Sequence, residues 1–136
     1  MADLNKLADL QNVNVTANKT LAAADQGIVQ DVNATGITIT LPATAVGLVF
    51  YIRNKIRIGT GTLPIGAVQN KNLVTVRSIA ADGFTGNGFT PAVNKAALNT
   101  AATAQVGDYL KVTGTGVTGA GAWIIEEASG TWAREA

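Results

Sequence analysis

The sequence predicts an all-β fold, an antiparallel, jelly-roll-like β-sandwich with a short N-terminal arm or helix. Three observations point there. Short runs of β-branched and aliphatic residues recur along the chain, turn residues interrupt them about every 8–12 positions, and several runs alternate apolar with polar. At 136 residues the chain has the size of one domain, and it needs neither a disulfide nor a metal to enclose a core. We divide it into an arm, residues 1–14, and a single sandwich domain, residues 15–136.

The arm, "ADLNKLADLQNV", places Leu4, Leu7, Leu10 and Val13 three apart between Asp3, Lys6 and Asp9. That spacing gives one apolar stripe on a short helix or an extended segment. So short a helix is unstable alone. It must lie either on its own domain or on a neighbouring subunit.

The stretch "GITITLPATAVGLVFYIRN", Gly36 to Asn54, carries the strongest strand signal. Ile37, Ile39 and Leu41 share one face and Thr38 and Thr40 the other, and Pro42, which cannot donate to a ladder, stops the strand. Gly47 restarts the pattern. Leu48, Phe50, Ile52, Ile56 and Ile58 then take the core parity, leaving Val49, Tyr51, Arg53, Lys55 and Arg57 outside. Asn54 decides whether this is one strand or two.

Later, "NLVTVRSIA" reads as a strand, and "ADGFTGNGFTP", Ala81 to Pro91, reads as a loop by its glycines and Asp-Gly dipeptide. The stretch Ala92 to Val106 reads as loop and strand, with a short helix as the alternative. "GDYLKVTGTGVTGAGAWIIEE" reads as a hairpin. Leu110 and Val112 face the core on its first strand, Trp123 and Ile125 on its second, across a glycine-rich connection.

Composition narrows the function. Charged residues are 14%, against about 25% in an ordinary domain, and small residues dominate. This suits an obligate oligomer or a member of an assembly that hides much of its surface, the alternative being a soluble monomer with an Ala- and Thr-rich surface. A formal charge of +1 supplies no field for nucleic acid or anionic membrane, so neither is expected as a partner. The N-terminus lacks a secretory pattern and no apolar run is long enough to span a bilayer. Synthesis in a cytoplasm is the expectation, which makes the Asn-x-Thr sequons at Asn14, Asn18 and Asn33 incidental.

The chain has no histidine and no cysteine. That removes the usual general base, the commonest metal ligand and the thiolate nucleophile, and neither Ser78 nor Ser129 sits in a nucleophile elbow. Asp25 and Asp31 could converge across a turn. Glu126 and Glu127 are adjacent, which on a regular strand sends them to opposite faces. "GTGVTG" matches G-x-G-x-x-G at Gly114, Gly116 and Gly119, but a strand-like run follows where a phosphate site needs a helix. No catalytic residue, cofactor or metal is expected, and the chain is not read as an enzyme. Arg53, Lys55 and Arg57, beside Tyr51, form the one local basic strip. It suits either phosphate or acidic-patch contact, or a plain solvated strand face.

Several of these segments together resemble a pattern in small β-rich virion proteins of tailed bacteriophages. They are "TLAAADQGIVQDVNATGITITLPATAVGLVFYIRN", "AQVGDYLKVTG" and "AWIIEEASGTWARE". The matching positions are Leu21, Asp25 and Gly27, then Leu41 and Pro42, then Gly47, Phe50, Ile52 and Asn54. Gly107, Asp108 and Tyr109 follow, and Gly130, Thr131 and Trp132 complete the pattern, which spans Leu21 to Trp132.

The resemblance is greatest to capsid decoration (cement) proteins, small jelly-roll-like subunits, often homotrimers, seated where capsomers meet. It implies a structural role on the capsid surface, with the major capsid protein as partner. The interface candidates are Leu4, Leu7, Leu10 and Trp132, with Arg53, Lys55 and Arg57 second; packing on its own sheet is the other reading of Trp132. Similar modules occur in tail fibres and tail tips. The alternative is therefore a receptor- or glycan-binding module, with loops around Asn87 and Val117 as its recognition surface.

Overall fold

The computed structural model describes residues 11–56, 72–100 and 103–136, and these build twelve strands in two facing sheets. The strands are β1 (Asn12–Val15), β2 (Lys19–Thr20), β3 (Val29–Val32), β4 (Ile37–Thr40), β5 (Val49–Asn54) and β6 (Asn72–Arg77). They continue with β7 (Gly83–Gly86), β8 (Phe89–Val93), β9 (Ala97–Thr100), β10 (Tyr109–Gly114), β11 (Trp123–Ser129) and β12 (Ala133–Arg134). A seven-stranded sheet has the order β1-β3-β5-β10-β11-β7-β8, and a five-stranded sheet the order β12-β9-β6-β4-β2. The fold is all-β, in the sandwich arrangement expected.

The pairing is mixed rather than wholly antiparallel. From β1 to β6 successive strands alternate between the sheets, so each pairs in parallel with the strand two before it in sequence. The two runs of "GITITLPATAVGLVFYIRN" thus lie in different layers. β4 runs parallel beside β6 in the smaller sheet, and β5 runs parallel beside β3 in the larger. From β7 onward antiparallel pairing prevails, β7 and β11 being parallel. Turn residues signal where a chain bends. They carry little about whether the bend returns to the same sheet or crosses to the other.

The core follows the expected parities. Ile37, Ile39 and Leu41 face Phe50, Ile52 and Ile56, joined by Leu110, Val112, Trp123 and Ile125, and all are buried. Phe50 and Trp123 meet with ring centroids 5.7 Å apart. Ile58 lies outside the described residues.

Three expectations need correction. Ala81 to Pro91 is not a loop but the hairpin β7–β8, closed on Asn87 and Gly88, both at positive φ (52° and 77°). Asn-Gly is the pair such a tight turn demands, and the surrounding glycines masked it. Next, β1 begins at Asn12, so the last residues given to the arm belong to the sandwich. Finally, Trp132 is not exposed: it is 7% accessible, packs in the core and donates its indole N–H to the Ser129 carbonyl at 3.0 Å.

Candidate interaction surface

β5 lies between β3 and β10, so its outward side chains stand near the middle of the larger sheet's outer face. Arg53 there faces Asp31 of β3 in register. Its Nε and an Nη donate to the two carboxylate oxygens at 2.6 and 3.0 Å. Asp31 is itself nearly buried, and its hydrogen bond holds the Arg53 guanidinium even more firmly protonated than usual. A bidentate pair of this kind spends the cation on its own sheet. Lys55 is exposed just beyond the strand, and Arg57 lies outside the described residues, as do Leu4, Leu7 and Leu10. Tyr51, although on the outward parity, is buried, with the Lys111 ammonium 5.8 Å from its ring centroid.

The carboxylates also find partners. Asp25 caps its own turn, accepting from the Ala22 N–H at 2.9 Å, and lies near Lys19, so it does not join Asp31. A bulge in β11 sets Lys111 opposite Glu127 and Val112 opposite Ile125, leaving Glu126 as the extra residue. Glu127 accepts from Tyr109 Oη at 3.0 Å and Glu126 from Thr113 Oγ1 at 2.9 Å. Tyr109 and Thr113 share the outward parity of β10, so the bulge brings both glutamates to one face, where regular alternation would separate them. Burial and the Glu127 carboxylate push the Tyr109 phenol up. Among the described residues no three acids gather as a metal site would need.

Five of the positions named for the resemblance, Asn54, Gly107, Asp108, Gly130 and Thr131, meet around Asn99 in one buried joint. Asn54, ending β5 in the larger sheet, donates its side-chain amide to Asn99 of β9 in the smaller sheet at 2.9 Å. Asn99 donates in turn to Asp108 Oδ2 at 3.0 Å and to the Thr131 carbonyl at 3.1 Å. Asp108 also accepts the Gln105 N–H at 2.9 Å. Gly107 donates to the Asn54 carbonyl, and Asn54 takes the Asp108 carbonyl as its own acceptor. Gly130, at φ 85°, leaves room for the carboxylate, because a Cβ there would overlap it. Upstream, the Gly27 N–H and the Gln26 side chain clasp both backbone groups of Val49, fixing where β5 begins. Asn99 was not singled out from sequence, having only the look of a polar residue in an alanine-rich stretch.

At one end of the sandwich, buried Asp82 ties two loops together, accepting from the Thr44 N–H at 3.2 Å and the Gly119 N–H at 3.4 Å. Thr44 Oγ1 donates to the Ala122 carbonyl at 2.7 Å and accepts from the Gly116 N–H at 3.1 Å. These bonds hold up Val46 and Val117, 82% and 69% exposed, on segments without a charged side chain. "GTGVTG" is the connection between β10 and β11 within one sheet, with no helix after it. Because β7 runs parallel to β11 from this end, the Asn87 turn lies at the far end of β7 from Val117. The two proposed recognition loops do not converge.

The chain matches no family model, no characterised protein and no solved structure.

Proposed function

We propose that the protein is a structural component of a bacteriophage particle, a decoration subunit that binds the major capsid protein as a homotrimer and bridges neighbouring capsomers. The observation that carries this reading is the joint around Asn54, Asn99 and Asp108. Asn54, Gly107, Asp108, Gly130 and Thr131 of the virion pattern come from distant parts of the chain and meet where the two sheets are tied together. Such a joint stiffens the sandwich, as a subunit that must share strain across a shell requires.

The surface supports the same reading. Asp25, Asp31, Asp82, Glu126 and Glu127 are engaged in turns, ion pairs or hydrogen bonds. The exposed aliphatic tips Val46 and Val117 stand on loops that carry no charged side chain of their own and are tied down by buried Asp82, a base suited to flat protein contact. Those tips join Leu4, Leu7 and Leu10 as shell-contact candidates, Lys55 being secondary. Many weak contacts of this kind become strong when a trimer engages several capsid subunits together. The tail-fibre alternative loses its simplest form, because the Asn87 and Val117 turns lie apart.

Co-sedimentation with purified undecorated capsids tests the proposal. Saturable binding that falls when residues 1–10 are removed, or when Val46 and Val117 become aspartate, is the expected result. Protein that ignores capsids and adsorbs to host cells would overturn it in favour of the tail reading.

A further inference from the structure

Among the described residues each sheet has two edge strands, and three of the four are blunted. β2 and β12 are two residues long and carry Lys19 and Arg134, and β8 contains Pro91. Shortness, charge and proline are the usual guards against edge pairing. β1 has none of them. From Gln11 to Asn18 the chain holds no charged residue, no proline and no glycine, and among the described residues no strand pairs with the outer side of β1.

The backbone directions along β1 follow from its hydrogen bonds to β3. The Gln11 carbonyl accepts from Val29 and the Val15 carbonyl from Asn33. Odd-numbered residues therefore address β3, and by strand alternation the N–H and C=O of Asn12 and Asn14 point outward. Both residues are exposed.

We infer that β1 pairs with β1 of a second copy of this chain, antiparallel about a twofold axis through Val13. In that register Asn12 lies opposite Asn14 of the second copy and exchanges both backbone hydrogen bonds with it, and the symmetric pair does the same. The four outward groups of each strand are then satisfied together. The opposed side chains are amides and valines, so self-pairing sets no like charges against each other. By contrast, self-pairing of β2 or β12 would bring Lys19 or Arg134 near its own kind across the axis. The two seven-stranded sheets become one continuous sheet across the axis. This contact is isologous and joins two copies only, so it is separate from any contact that would build the proposed trimer, and it does not rest on the virion reading.

Sedimentation equilibrium of the full chain tests it, with the Asn14→Pro variant as the main comparison. The Asn14 N–H makes no bond to β3, so proline there removes an outward donor and leaves the internal ladder intact. The expected result is self-association of the natural chain, weakened about tenfold or more by Asn14→Pro with thermal stability retained. The register is checked by paired charges: Asn12→Lys with Asn14→Lys should abolish association, and Asn12→Lys with Asn14→Glu should restore it. Natural protein that stays monomeric, or association unchanged by Asn14→Pro and indifferent to both charge pairs, would overturn the proposal. If Asn14→Pro fails to fold, the charge pairs alone decide.

Discussion

At the residue scale, the positions that matter most hold the two sheets to each other. Asn99 serves Asn54, Asp108 and Thr131 at once, and removing its side chain leaves buried partners unsatisfied. Asn99→Ala should cost about 2–4 kcal/mol, more than one hydrogen bond, because desolvated groups lose their partners; urea denaturation reads this directly. Gly130→Ala should be comparably damaging, since it adds both strain at positive φ and overlap with the Asp108 carboxylate. Ile39→Asp, placing an unpaired charge in the core, should prevent folding altogether. Solubility and circular dichroism of the expressed variant check that outcome. Part of this joint was legible in advance: Gly107, Asp108, Gly130 and Thr131 stood out as a pattern, without a physical role. The role depends on Asn99, whose neighbours in sequence say nothing of a sheet 45 residues away.

At the element scale, period-two alternation placed Ile37, Ile39 and Leu41 and then Phe50 and Ile52 correctly, because a half-buried strand records its orientation in its own residues. Pairing partners are not recorded that way. The parallel pairs β1–β3, β2–β4, β3–β5 and β4–β6 arise from connections that cross between sheets, and a Gly or Pro marks such a crossing no differently from a hairpin. Bulges are equally silent, which is why Glu126 and Glu127 were assigned to opposite faces and found on one. The β7–β8 turn does have a local signature, Asn87-Gly88, but the glycines around it made the whole stretch read as a loop. Asn87→Gly should be tolerated and Asn87→Val should cost about 1–2 kcal/mol, as a β-branched residue is poorly suited to the left-handed region. Thermal melts of the pair check the difference.

At the scale of the whole molecule, the chain end is tied down by Glu135, which accepts two bonds from Arg77 at 2.8 Å and one from the Ala96 N–H at 3.1 Å. The Ala96 N–H, and after it Arg77, hold this carboxyl below its ordinary value. A depressed folded-state pKa contributes stability above the unfolded value, about 4.3, and that contribution is lost as pH falls through the lower folded value. The site is partly open to solvent, so the effect is small. Glu135→Gln should lower the melting temperature slightly at neutral pH, where the ionised carboxylate holds Arg77 and Ala96, and converge with the natural chain below about pH 4, as a pH series of melts would show. The same view explains why function was only partly legible. The missing histidine and cysteine could be read as limits on chemistry, but the face that meets a partner is set by which charges the fold consumes. Arg53 looked like a free cation until Asp31 was found across the strand. Val46 looked like one apolar residue among many until its loop proved to stand clear of the core.

Imaging purified bacteriophage capsids, with this protein added and omitted, tests the proposed capsid role most directly. The account predicts discrete density of sandwich size on the capsid exterior, at the junctions between capsomers, lost when the protein is omitted. A capsid identical with and without the protein would contradict it.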